Sequence, residues 1–433
     1  MAQKKRRNPD HIRRRQMPGP DNEAIEAQLT ELISPALSSQ MAYYRELGMR
    51  SRILNLPLMV AAVLTILWRQ VPSVHELSRM LVREDLLWCH KVQVSQQALS
   101  QRFLGFPAEL FERVLKELLP TLKQRWYERQ TRPLPESLSY ARQQFERIWV
   151  ADGSTLEALF RKLKVLQDVP VGQLAGKMGT VVDLVTRLPV EVWFREQPRS
   201  SDISFIPDLL ALVPAKTLLV LDRGFYDFTF FAALIAQQVA FITRLKTNAF
   251  FIEAEILSQT ATLTDRVIYL GTGQNNTPVL KLRLIEVRFG KVWYQYLTSV
   301  LDPIVLPPFV VADLYRRRWR IEEAFNTVKR LLNLSYLWTG SVNGIQLQIW
   351  ATWLFYALLV DLGDAVADRL GLPFDRISLE MLYRGFYHFA RAYSKGLTTD
   401  PVTYFADPDN QDLRVVKRLR KPLPRLDLSP FPI

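Results

Sequence analysis

Between Lys216 and Asp222 the chain reads KTLLVLD, with no polar side chain between Thr217 and Asp222. A strand that is apolar on both faces is buried on both, as in a parallel sheet covered by helices. Its neighbours supply the remaining layers. RIWVAD (147–152) is a short apolar strand ending in an acid, and KMGTVVDLVTRLPVEVWF (177–194) alternates and turns near Arg187 and Leu188 as a hairpin. Residues 202–214 and 226–239 have helical patterns, and AFITRL (240–245) is a further strand.

The order strand, strand, strand, helix, strand, helix, strand predicts an α/β fold with a ribonuclease H-like core over 141–247. Residues 248–301 turn β-rich, with the turn GTGQNN and the alternating runs VLKLRLIEVRF and KVWYQYLTSV, and predict an all-β insertion. A long helix from Pro308 to Leu334 resumes the core, so that 302–339 completes it. Residues 23–140 carry helical spacing, as in Ile25, Leu29, Leu32 and Ile33, and end at the boundary-like TRPLPESLSY (131–140). Residues 340–433 read as a helical C-terminal region to about Tyr393, then a basic tail. Residues 1–22, basic and holding Pro9, Pro18 and Pro20, read as a disordered arm.

Composition narrows the chemistry. The net charge is +13, but residues 1–20 hold +6 and residues 411–433 hold +4, so the excess lies mainly in two tails. Such tails favour polyanions, nucleic acid above all, although basic tails also serve solubility alone. Cys89 is the single cysteine, which excludes an internal disulfide and points to a reducing compartment. The four histidines are scattered, so any catalytic metal must be held by carboxylates, which suits magnesium or manganese. The apolar runs Ile53–Trp68 and Ile349–Val360 are short for membrane spans and read as buried helices. Within the N-terminal region VSQQALSQRF (94–103) opens with Ser95 as an N-cap and carries Gln96, Gln97, Ser100 and Gln101. These suit a helix that reads base edges or a merely solvated face, and the preceding loop is long for a standard helix-turn-helix.

Three acids stand at telling places: Asp152 ends the first strand, Asp222 ends the fourth, and Glu322 lies in the long helix. In a ribonuclease H-like sheet the first and fourth strands are parallel neighbours, so both aspartates face the crevice where open α/β sheets place their sites. A helix carboxylate completes a pocket for two divalent ions at a phosphodiester. Any one of these acids alone reads as a turn or cap residue; the combination carries the assignment. On a regular helix Tyr315, Arg318, Glu322 and Lys329 fall at about 0°, −60°, −20° and −40°, one narrow stripe. It borders the apolar stripe of Leu314, Ile321, Phe325, Val328 and Leu332 near about −110°.

The spacing Tyr-x2-Arg-x3-Glu-x6-Lys of Tyr315, Arg318, Glu322 and Lys329 resembles the signature of bacterial insertion-sequence DDE transposases of the hairpin-forming group. YRRRWRIEEAFNTVK, the DGS of the first strand and the DRGFYD of the fourth are similar to the same family, over about 145–345. The resemblance implies Asp152, Asp222 and Glu322 as the metal-binding triad for Mg2+ or Mn2+. It implies Tyr315, Arg318 and Lys329 as contacts to phosphates or the flanking strand. It also implies an insertion aromatic that handles an extruded base, for which Trp293 and Tyr294 are candidates. Strand alternation puts those two on opposite faces, so one of them serves.

The expected activity is cut-and-paste transposition: metal-dependent hydrolysis of a phosphodiester, then attack of the freed 3′-hydroxyl, through a hairpin. The partners are double-stranded DNA, as element ends and target, and a second copy of the chain in a synaptic dimer, without a membrane. The setting is the cytoplasm, at the nucleoid. Two rivals remain open: a structure-specific nuclease on the same fold, and a non-catalytic DNA-binding protein derived from a transposase.

Overall fold

The computed structural model describes residues 23–431 apart from 51, 72, 157–175, 198–199, 272–276, 333, 335–340 and 416–425. The basic arm expected over 1–22 and most of the GTGQNN turn therefore lie outside the described residues.

The helical first part comprises α1 (Glu23–Glu46), α2 (Leu56–Arg69), α3 (Val74–Arg83), α4 (Gln96–Gly105), α5 (Glu109–Glu128) and α6 (Glu136–Gln144). Asn55 caps α2 by accepting from the Leu58 amide at 3.0 Å, and every residue from Leu58 to Trp68 is buried. Ser95 caps α4, accepting from the Ala98 amide at 3.1 Å, and Leu99 and Phe103 form its buried side.

The sheet is built from β1 (Arg147–Thr155), β2 (Lys177–Asp183), β3 (Pro189–Arg195), β4 (Thr217–Leu221), β5 (Ala240–Arg244), β6 (Phe251–Gln259), β7 (Leu263–Leu270), β8 (Leu280–Phe289) and β9 (Val292–Thr298). Their order is β3-β2-β1-β4-β5-β9-β8-β7-β6, with β1, β4 and β5 parallel and every other pair antiparallel. The β-rich segment is thus four strands, but they do not form a sheet of their own. Ile242, Thr243 and Arg244 of β5 pair with Thr298, Leu297 and Tyr296 of β9, so the insertion extends the core sheet edge to edge. The seam leaves β5 no open edge, which an isolated insertion would have created.

Alternation along β1 divides two cores. Ile148 and Val150 join one and Trp149 and Ala151 the other. The second core is covered by α7 (Ile206–Leu212) and α8 (Phe228–Ala236). The first joins the N-terminal helices to α9 (Pro308–Arg316), α10 (Trp319–Asn326), α11 (Val342–Leu370), α12 (Leu379–Ser394) and α13 (Pro401–Ala406) in one contiguous cluster. The helical character expected to end near Tyr393 therefore resumes briefly in α13. The first and last thirds share this core: Trp68 of α2 packs edge-on to Phe386 of α12 at 4.4 Å. Arg129 bridges Asp361 and Asp364 of α11 at 2.8 and 3.0 Å. Helix α11 is long and apolar enough to cross a membrane, yet 89% of its most apolar stretch is buried inside the fold.

The single long helix expected over 308–334 is corrected. The chain tightens between α9 and α10, where the amides of Arg318 and Ile321 bond the carbonyls of Tyr315 and Arg318. It then widens into a π-turn, Thr327–Leu331. Side-chain bonds hold the tight turn: Arg316 and Arg317 both reach back to the Asp313 carboxylate, and Arg317 also reaches Asp375 at 3.0 Å.

Candidate active site

The register of the parallel pair sets the site. Ala151 lies opposite Leu221, so the next residues, Asp152 and Asp222, stand at the same level. Asp222 follows the end of β4, whereas β1 does not end at Asp152 as expected but runs on to Thr155, because β2 continues to pair with it. Asp152 is 6% exposed and accepts from the Gly153 amide at 2.8 Å. Asp222 caps a short turn, accepting from the Gly224 amide at 3.3 Å.

Arg318 joins both to the helix acid. From the tight turn its guanidinium reaches Asp152 at 2.7 Å, Asp222 at 3.5 Å and Glu322 at 3.8 Å. Burial pushes the Asp152 carboxyl up to about 7; Arg318 opposes that rise, and the charges of Asp222 and Glu322 add to it. Three carboxylates sharing one cation carry more negative charge than the site neutralises, which is the electrostatic setting for metal ions or a catalytic acid. All the donors are hard oxygens, which suits magnesium or manganese. Among the described residues no three acid, histidine or cysteine side chains converge as an ion cage by themselves; the Arg318 guanidinium stands amid these three.

Lys329 enters from the π-turn. Its ammonium bonds the Ser154 hydroxyl and, at 2.9 Å, the Thr155 carbonyl at the end of β1, while burial lowers its pKa and Glu322 opposes that shift. Tyr315 is buried with its ring 5.3 Å from Tyr296, and burial raises its hydroxyl to about 12, so the phenol stays a donor at neutral pH. Tyr315, Arg318, Glu322 and Lys329 thus face one region even though their helix is irregular. Glu323 points away: 57% of its side chain is exposed, and it pairs with Arg320 at 2.6 Å.

Beside Asp222 opens a cavity of about 1040 Å³, lined by Arg244, Tyr294, Tyr296, Tyr315, Arg318 and Trp319 among others. Of the two insertion aromatics, Tyr294 faces this cavity, its ring 5.5 Å from the Arg244 guanidinium. Trp293 is 44% exposed, lies 5.8 Å from Arg288, and does not line the cavity. Sequence reasoning missed Arg244, Tyr296 and Trp319. Trp319 stood inside the quoted RRRWRIEE, and its aromatic body between two arginines was the available signal. Arg244 and Tyr296 gave none, because they meet only through the β5–β9 pairing.

Residues 172–358 match the model of the transposase DDE domain family. That stretch contains Asp222, Tyr315, Arg318, Glu322 and Lys329, while Asp152 precedes it. Two curated relatives are similar to the chain. A probable transposase for insertion sequence element IS5377 from Geobacillus stearothermophilus is 26% identical over 172 residues, 39% of this chain and 45% of the relative. A putative transposase, y4zB, from Sinorhizobium fredii is 22% identical over 173 residues, 38% of this chain and 45% of the relative. The chain spans about half the length of the curated relatives it matches.

Proposed function

We propose that the chain is a DDE transposase of an insertion sequence, with a ribonuclease H-like core, acting on double-stranded DNA. The observation that carries this reading is the meeting of Asp152, Asp222 and Glu322 at one guanidinium beside a cationic, aromatic cavity. The order β3-β2-β1-β4-β5, with β1, β4 and β5 parallel, supports the fold reading. The similarity to insertion-sequence transposases supports the activity.

In the proposed reaction water attacks the phosphorus and the P–O3′ bond breaks, releasing a 3′-hydroxyl and a 5′-phosphate. That hydroxyl attacks a phosphodiester of the opposite strand, closing a hairpin on the element end and releasing the flanking DNA with a 3′-hydroxyl. A second water then hydrolyses the hairpin bond and frees the element 3′-hydroxyl again, which finally attacks a target phosphodiester and displaces a target 3′-hydroxyl. Asp152, Asp222 and Glu322 would hold two divalent ions, magnesium or manganese, which when bound activate the attacking oxygen and stabilise the leaving one. Arg318 and Lys329 grip non-bridging phosphate oxygens, Arg318 by its planar fork and Lys329 as a point charge. Tyr315 donates a hydrogen bond from its phenol to a phosphate oxygen. Tyr294 is the insertion aromatic placed to stack on a base near the cut; Trp293, on the other strand face, contacts the flanking duplex.

Outside the site, residues 23–140 bind the element ends, with Gln97, Ser100 and Gln101 of α4 toward base edges and the 1–22 arm on the backbone. The region 340–433 pairs two copies in the synaptic complex. Such a protein works at the nucleoid of the cytoplasm. The test is a strand-transfer assay on linear DNA bearing the sequences that bracket the coding region. Joined products support the transposase; cleavage without joining supports a structure-specific nuclease, and binding alone a non-catalytic derivative.

A further inference from the structure

Beneath the two aspartates, on the opposite sheet face, lies a fourth carboxylate, Asp202, that takes no part in the proposed reaction. Gly153 shares strand parity with Trp149 and Ala151, so it faces the second core while Asp152 faces the first. Against that face presses the turn Asp202–Phe205. A Cβ at Gly153 would collide with Oδ1 of Asp202, and one at Gly224, two residues after Asp222, would collide with Oδ2 of the same side chain. A Cβ at Gly179, opposite Gly153 in β2, would come within 2.8 Å of the Phe205 ring. The glycines following both acids are thus the openings through which one carboxylate touches the backbone beside each of them, in β1 after Asp152 and in the turn after Asp222.

That carboxylate is itself fixed. Lys177, buried at the start of β2, holds Asp202 Oδ1 at 2.6 Å and donates to the Ser200 carbonyl at 2.7 Å. We infer that Asp202 is a positioning residue for the reaction: anchored by Lys177, it is wedged between Gly153 and Gly224 and sets the separation of Asp152 and Asp222. The inference rests on the reading of those two aspartates as catalytic. Side chains that orient catalytic or metal-binding groups from behind change activity or metal affinity by about 10- to 100-fold when removed.

The test uses the full chain and five variants. D202A should unfold within a few degrees of wild type and bind end DNA normally. Its cleavage rate should fall about 10- to 100-fold, and calorimetry should show weaker Mg2+ binding. D202N, which keeps the volume and still accepts from Lys177, should restore most of both. G224A should destabilise the wild type, whereas D202A/G224A should be no less stable than D202A, because the colliding carboxylate is gone. Wild-type cleavage and Mg2+ binding in D202A, or an equal cost of G224A in both backgrounds, would overturn the inference. So would a D202A too unstable to assay together with a D202N that fails to recover cleavage. D152N serves as the control for the underlying reading: if it still cleaves, the assignment of the acids is wrong, whereas an inactive D152N beside a fully active D202A removes the wedge alone.

Discussion

Asp375 is the point at which the tight turn between α9 and α10 is tied to the rest of the molecule. Its carboxylate takes Arg317 at 3.0 Å, Arg320 at 2.8 Å and Arg187 from the β2–β3 hairpin. Burial would raise its pKa, but the charges of Arg187, Arg320 and Arg317 outweigh that and hold it well below 3.8. D375N keeps the shape and removes the charge. Taking one partner from a buried ion pair costs about 3–5 kcal/mol, but exposed pairs are worth less than about 1 kcal/mol. Asp375 is 27% exposed, Arg317 keeps Asp313 at 2.9 Å, and Arg320 keeps Glu323 at 2.6 Å. Arg187 keeps the face of Phe374 at 4.3 Å. The expected loss is therefore about 2–3 kcal/mol, read as a lower urea midpoint at unchanged slope.

The pH dependence has a fixed sign. A carboxylate whose folded pKa lies below its unfolded value stabilises fully above the unfolded value, and the contribution disappears as pH falls through the folded one. The penalty of D375N should be equal at pH 7 and pH 5 and shrink below about pH 4. Because Arg317 and Arg320 flank Arg318, cleavage should fall more than end binding does. A loss under about 1 kcal/mol, or a penalty that grows as the pH falls from 7 to 4, would refute the reasoning.

E322Q should lower cleavage and strand transfer by orders of magnitude, while E323Q, which loses an exposed pair worth less than about 1 kcal/mol, should cost little in the same assay. Equal losses would mean that both carboxylates serve the site. D152N and D222N should each abolish cleavage in magnesium but leave end binding intact by mobility shift; appreciable nicking by either would remove that residue from the triad. Deleting residues 1–15 takes away seven Lys and Arg, and should lower the slope of log binding constant against log salt by up to about 6 with the unfolding temperature unchanged. A collapse in stability would make the arm part of the fold.

The parallel heart of the sheet was legible because Leu218–Leu221 and Ile148–Ala151 are apolar on both faces, a pattern tolerated only under two covering layers. Asp152 and Asp222 were legible for the same reason: each is the first charge after such a run. The helix stripe pointed four side chains to one region, but the tight turn at Arg317 and Arg318 and the later π-turn left no trace in the periodicity. The tight turn is held by partners distant in the chain, Asp375 and Asp152 among them, and local propensity carries no information about those. Asp202 escaped for a related reason. Nothing in SSDISF marks a wedge until the strands put Gly153 and Gly224 on either side of it. The β5–β9 seam was equally hidden, since alternation shows that a strand has two unlike faces and not which strand lies at its edge.

The covering of the Trp68 end of α2 by α12 sets a schedule for synthesis. Leu58 to Trp68 leave the ribosome early, as eleven consecutive residues that the finished molecule buries, yet Phe386, which covers Trp68, is made more than three hundred residues later. At about 5–20 residues per second that interval lasts on the order of tens of seconds. For that time Trp68 and the end of α2 lack this cover, which makes the nascent chain a natural client for a holding chaperone. A chain stalled or cut before α12 leaves Trp68 without its cover, so premature termination should yield aggregates in place of a free-standing N-terminal fragment.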